Sequence, residues 1–205
     1  MSNPEPSTQS NFTVANDGDI ILVLPQNIHI RVSSIILSYT SPVFKAMLGP
    51  EFMEGHTPRS AAQPHKIALL DNDSAAMKHL CHLLHRQTTN SNDDHPSEAF
   101  AERLQELAIL ADKYNCVTAI MLQVEAVLSR FLNRGAAGKL SVVAMLFCTG
   151  AAYMMRLPRH FYAFSKRMVL DHCTSFSELL DDEGCSVALP AEVLRKQPHR
   201  LPTTR

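Results

Sequence analysis

The densest group of chemically capable side chains in the sequence is His79, Cys81, His82 and His85. Thiolate and imidazole are zinc ligands, and Cys81 and His85 stand at the i, i+4 spacing that places two side chains on one helix face. A closed tetrahedral site needs four such groups, and no second ligand pair at finger-like spacing occurs elsewhere. Cys81 also belongs to an apolar stripe with Met77, Leu80 and Leu84, so it reads as a buried thiol beside ordinary histidines. Nucleophilic catalysis needs a Ser or Cys held beside a base. Neither a Gly-x-Ser-x-Gly elbow nor a protease-like cysteine context is present. Asp181-Asp182-Glu183 is a contiguous acidic run, whereas catalytic carboxylates are assembled across a cleft. No catalytic residue, no metal and no cofactor is expected.

Composition is that of a globular chain and argues against a nucleic-acid coat. Apolar residues make up 45% of the 205 positions and charged residues 19%, enough to bury a real core. The net charge of -1 argues against a domain built to coat nucleic acid through counterion release, and leaves room only for a local basic patch. Arg195, Lys196, Arg200 and Arg205 make a basic tail without interleaved aromatics, which reads as solvated. The five cysteines, Cys81, Cys116, Cys148, Cys173 and Cys185, are odd in number and irregularly spaced. They fit a reducing, intracellular compartment better than a disulfide framework. Leu140–Met155 carries no charge, but as a helix it would span only about 24 Å, short of a bilayer core. A buried helix is expected, and no membrane span.

The elements that would position these groups can be read in order. Residues 1–16 read as a flexible leader. Asp19–Leu24 is a short apolar β-branched run, and Ile28-His29-Ile30-Arg31-Val32 alternates strictly; with Pro25-Gln26-Asn27 between them the two predict a hairpin. Ser33-Ser34 offers a cap for a short helix carrying Ile35, Ile36, Leu37 and Tyr39. Ser41-Pro42 begins another, with Val43, Phe44, Met47 and Leu48 on one face and Gly49-Pro50 at its end. A polar loop over 55–65 leads to a third strand at 66–70. Asp73 or Ser74 caps the helix of the Met77 stripe, and 87–97 is polar and turn-rich. Phe100, Leu104, Leu107, Ala111 and Tyr114 mark a long helix, and Val117 to Phe131 another. Pro158 opens a helix with Phe161, Phe164 and Met168 inward, and a short one is expected near Ser177–Leu180. The expected fold is α+β, a small three-stranded sheet capped by helices, followed by a helical extension at 139–184 and a loose tail at 185–205.

Four stretches in this order resemble a known family. Asp19–Val23 with Ile30–Ser38 resembles the opening of a BTB/POZ domain. Ser41-Pro42-Val43-Phe44-Lys45-Ala46-Met47-Leu48 resembles its serine–aromatic–methionine helix. Lys66–Asp73 is similar to its third strand and the acidic turn after it, and Leu107-Ala108-Ile109-Leu110-Ala111-Asp112-Lys113-Tyr114 to its hallmark helix. The likeness runs over about residues 17–132, and its flavour is similar to fungal BTB proteins.

The resemblance implies a non-enzymatic protein–protein interaction module. Cullin-binding BTB adaptors carry an apolar residue, any residue and glutamate after the methionine helix, where this chain has Phe52-Met53-Glu54. Phe52 and Glu54 are therefore the candidate contacts to a cullin scaffold, the chain acting as a ubiquitin-ligase adaptor. The alternative is a transcription-associated or scaffolding protein that uses the fold for self-association. In repressor members a basic residue after the second strand pairs with the acidic residue at the domain's start; here Asp19 faces Val32-Ser33-Ser34, which offers no cation. Members that exchange segments in a dimer begin with an amphipathic helix, and residues 1–16 have no such period. The isolated chain is expected to be mainly monomeric or weakly dimeric.

Overall fold

The computed structural model describes residues 9–87, 97–134 and 140–171. Strands β1 (Ser10–Thr13), β2 (Ile20–Leu24), β3 (Ile28–Val32) and β4 (His65–Ala68) form one mixed sheet in the order β1-β3-β2-β4. Strand β2 pairs antiparallel with β3, Leu22 opposite Ile30, and parallel with β4, Leu22 opposite Ile67. Between β2 and β3 the three-residue turn holds Gln26 and Asn27 at φ of 59° and 58°, the left-handed values a tight hairpin requires. The apolar run of β2 resolves into alternation, with Ile20, Leu22 and Leu24 buried against the helices.

Two expectations about strands need correction. The sheet has four strands instead of three, and the fourth comes from the stretch read as a leader. Strand β1 pairs parallel with β3, Ser10 opposite Ile28. It lies at the sheet edge with most side chains in water, so it carries no buried alternation by which a sequence pattern would reveal it. Phe12 is its one large apolar residue, and Lys78 Nζ sits 3.6 Å from the ring centroid. Strand β4 begins one residue earlier than expected and ends at Ala68, which leaves Leu70 exposed.

Helices α1 (Ser34–Thr40), α2 (Pro42–Met47) and the single turn α3 (Met53–His56) follow β3; after β4 come α4 (Ser74–Leu84), α5 (Glu98–Lys113), α6 (Val117–Arg134), α7 (Val142–Met154) and α8 (Pro158–Asp171). The Asp73 carboxylate caps α4 through Ala76 N at 2.7 Å, and the expected stripe of Met77, Leu80, Cys81 and Leu84 is buried. Ser97 and Ser141 cap α5 and α7 in the same way. Helix α7 lies along α5, tied at its start by the Ser141 hydroxyl donating to Glu98 at 2.6 Å, and α8 packs on α7 and α6. Phe164 and Met168 of α8 are buried as expected, and Phe161 partly so. Among the described residues, no helix is long and apolar enough to cross a membrane. The turn-rich 88–96, the short helix near 177–180, the acidic run and the basic tail lie outside the described residues.

The start of α1 is held by residues remote in sequence. Ser33 makes no side-chain cap. Instead the Asp19 carboxylate accepts from Ser34 N at 2.8 Å and from its hydroxyl at 2.6 Å. The Ser33 amide donates to His85 Nε2 at 3.0 Å, while His85 Nδ1 lies 2.8 Å from the Cys81 carbonyl. A carbonyl only accepts, so the proton is on Nδ1 and the ring is neutral. Burial and the nearby His82 lower the His85 pKa, and the Cys81 bond and Asp17 only partly offset them. The folded pKa therefore lies below the unfolded value of about 6.5. On acidification the unfolded chain takes the proton first, so His85's contribution is complete above about pH 6.5 and falls as pH drops toward the folded pKa. Below that it levels off. Urea melts from pH 7.5 to 5 should show wild type losing more stability than His85→Gln loses over the same interval; parallel curves would contradict the assignment.

Candidate protein-interaction surface

The surface is built outward from one hydroxyl. Ser41 is fully buried at the start of α2, where its oxygen accepts from Phe44 N at 3.0 Å and donates to the Tyr114 carbonyl at 2.6 Å. One side chain thus caps α2 and satisfies a carbonyl at the end of α5. Directly above, Phe44 stacks on Tyr114 with ring centroids 4.4 Å apart and planes 8° from parallel. Lys113 reaches Asp71 at 2.7 Å and Asn72 Oδ1 at 2.9 Å, closing the turn after β4 onto the same helix end. These are the side chains of the serine–aromatic and lysine–tyrosine stretches, and the structure brings them together. Val43, expected on the buried face, is exposed, because so short a helix turns only Phe44 fully inward.

From this platform the chain doubles back. Gly49 N donates to Ala46 O, Phe52 N to Gly49 O and Gly55 N to Phe52 O. Phe52 becomes the residue at which α3 starts, so Met53 and Glu54 lie on a helical turn where an open loop was expected. Phe52 is 50% exposed and Met53 85% exposed. An aromatic and a thioether facing water side by side offer apolar area with a soft, adaptable neighbour, which suits insertion into a partner's pocket. Glu54 is the second residue of the same turn.

The turn is held by two close fits. A Cβ on Gly55 would stand 1.8 Å from the Gly49 carbonyl oxygen, so only glycine permits the approach. Gly55→Ala must displace backbone rather than a side-chain tip, and should cost about 1–3 kcal/mol in chemical denaturation. The loss should be accompanied by altered Phe52 resonances, and an unshifted melt would contradict this packing. Arg59 is the second fit. Its Nη2 donates to the Leu48 carbonyl at 3.2 Å while Nε lies 3.6 Å from Asp19. Beside it, Arg31 donates to Gly18 O at 2.9 Å and Ala61 O at 2.6 Å.

Asp19 therefore has a cationic neighbour that sequence reading did not find, supplied from the loop between α3 and β4. Its burial raises the carboxyl pKa, but the two Ser34 hydrogen bonds and the Arg59 charge outweigh this, and the group titrates below the usual carboxylate range. No sequence signal pairs positions 40 residues apart across an irregular loop. A second apolar area lies on α1, where Ile35 and Tyr39 are 78% and 91% exposed one helical turn apart.

The other candidate chemistry disperses. Cys81 is fully buried, and desolvation pushes its thiol up to about 12 and that of Cys116 likewise; the Cys148 thiol is also raised by burial. Such thiols stay protonated and are poor nucleophiles and ligands. Both ring nitrogens of His85 are engaged, and His82 Nδ1 lies 3.2 Å from Gln87 Oε1. Among the described residues, no three His, Cys, Asp or Glu side chains are grouped to hold a metal ion.

Compared with known proteins, residues 12–130 match the family model of the BTB/POZ domain. No curated protein matches the chain.

Proposed function

The chain belongs to the BTB/POZ domain family, an interaction fold that is generally non-enzymatic, and on that premise we propose that its Phe52–Glu54 turn docks a cullin-type ubiquitin-ligase scaffold. The observation that carries this reading is the half-exposed Phe52 at the head of α3, presented beside an exposed Met53 on a turn that Gly55 and Arg59 hold in place. Glu54 supplies a carboxylate for charged hydrogen bonds at the rim of the same contact. Helices α7 and α8 would lengthen the contact or recruit the target. The partner is thus a protein, a role that calls for no cofactor and no membrane, and the balance of charge disfavours nucleic acid. Three free buried thiols, Cys81, Cys116 and Cys148, suit an intracellular setting.

The exposed Ile35 and Tyr39 on α1 favour a second reading, a scaffolding or transcription-associated protein that self-associates. One pair of measurements separates the two. The intact chain is immobilised and titrated with a purified cullin N-terminal domain, and separately diluted under light scattering. Saturable cullin binding by a monomer or weak dimer supports the adaptor. A dimer that persists at nanomolar concentration and ignores the cullin supports self-association.

A further inference from the structure

The charges of the chain are unevenly placed. Overall it carries 20 acidic and 19 basic residues, yet between Glu125 and Asp171 there are seven basic residues and no acidic one. A balanced chain that sorts its charges in this way builds a local field instead of a net one. Part of that field emerges on α8. Arg159, Tyr162, Lys166 and Leu170 stand at i, i+3, i+7 and i+11, one face of a helix, and all four are exposed, Tyr162 to 65% and Leu170 to 66%. Lys166 Nζ lies 5.9 Å from the Tyr162 ring centroid, so the ammonium stays in water beside an aromatic face. Arg156 is exposed in the turn that joins α7 to α8, where Tyr153 meets Phe161 with ring centroids 6.0 Å apart. Among the described residues, none of Arg156, Arg159 and Lys166 is in an ion pair. Arg167 is engaged elsewhere, donating to the Leu132 carbonyl at 3.2 Å.

We propose that this face of α8 binds an acidic peptide segment of a partner protein, one in which carboxylates flank an apolar side chain. The two guanidinium groups can each take a carboxylate on two parallel bonds, and the Lys166 ammonium takes a third as a point charge. Tyr162 and Leu170 supply apolar area between and beyond the cations, against which a leucine or aromatic residue of the segment can pack. The number of cations decides against other polyanions. Duplex DNA held through so few phosphates loses much of its affinity by physiological salt, and polybasic sites on membranes gather ~4–8 cations. The proposal deepens the role of target recruitment offered above for α7 and α8 by giving the target a chemistry, and it requires no cullin contact.

The intact chain is titrated into a fluorescein-labelled peptide, Asp-Glu-Leu-Asp-Glu-Phe-Asp-Glu, and fluorescence polarisation is followed at low salt. Saturable binding is expected, weakened about tenfold or more by Arg159→Glu combined with Lys166→Glu, and about threefold by Tyr162→Ala. Lys45→Glu combined with Arg86→Glu changes net charge equally at exposed positions on other elements, and should leave affinity within about twofold. Arg159→Gln with Lys166→Gln serves should the reversed pair fail to fold. Equal losses in the two charge-reversed pairs would overturn the proposal, since the attraction would then be one of net charge alone. So would equal binding of a peptide with serine in place of leucine and phenylalanine. Tighter binding of a DNA duplex or of phosphatidylserine vesicles at physiological salt would overturn it in favour of nucleic acid or membrane. Binding that appears only in the Asp181→Asn, Asp182→Asn, Glu183→Gln variant would overturn it too, because the occupant is then the chain's own acidic run. No cullin enters these measurements, so the α8 face and the Phe52 turn stand or fall separately.

Discussion

Phe44→Ala should destabilise the protein by about 3–5 kcal/mol, the largest loss from any single substitution around the interaction surface. Phe44 has no solvent exposure, its ring is stacked on Tyr114, and its amide receives the Ser41 cap. Truncation removes the stacking partner of Tyr114 and opens a cavity between α2 and the end of α5. That region is pinned by the Ser41 hydroxyl and cannot easily collapse into the space. Against a total stability of ~5–15 kcal/mol, the loss is a large fraction. It is read as a lower midpoint in urea at an unchanged slope. Val43→Ala is the control: its side chain is exposed, and its effect should stay within about 0.5 kcal/mol. Equal effects at the two positions would mean that α2 is not seated as described.

Phe52→Ala should have the opposite signature. If the α3 turn enters a pocket on a cullin, truncating its aromatic should weaken binding by about thirtyfold or more, the equivalent of roughly 2 kcal/mol. Half of the Phe52 surface already faces water, so the melting temperature should barely move. Glu54→Ala should weaken binding by a smaller factor, as rim carboxylates usually do, and its effect should shrink further as salt is added. Binding isotherms and thermal melts on the same preparations decide the matter. Unchanged affinity in a well-folded Phe52→Ala chain removes the docking reading from this turn. A large drop in stability would mean that the side chain packs inward.

Local chemistry made much of the fold legible. The Ser41-Pro42 start, the Asp73 cap and the Met77, Leu80, Cys81, Leu84 stripe are signals contained within a few residues, and each lies where its pattern places it. The hairpin was equally local, since its connection and both runs are continuous in sequence. Strand β1 escaped because an edge strand with wet side chains has no apolar period. The α3 turn escaped because one turn of helix is too short to show any period at all. For the candidate site, sequence supplied Phe52 and Glu54 through resemblance, and the structure adds the exposure of Phe52. The supports of that turn were not legible. Arg59 and Asp19 meet across a loop, and at the start of α1, equally hidden from the sequence, His85 reaches Ser33 from 52 residues away. Contacts of this kind are set by the closed fold, and no spacing rule encodes them.

Helix α5 has a consequence for where the molecule ends as a cooperative object. Its buried positions, among them Phe100, Ala101, Leu104, Leu107, Ala108, Leu110 and Ala111, cover more than half of its circumference. A helix lying on one layer needs a stripe of only about 100°. The surplus is covered by α7, which lies beyond residue 130, where the family's sequence pattern stops. The signature and the melting unit therefore have different lengths. A fragment cut at the edge of the signature would present a greasy flank of its central helix to water and be prone to clump, whereas α5 and α7 together should unravel in one step.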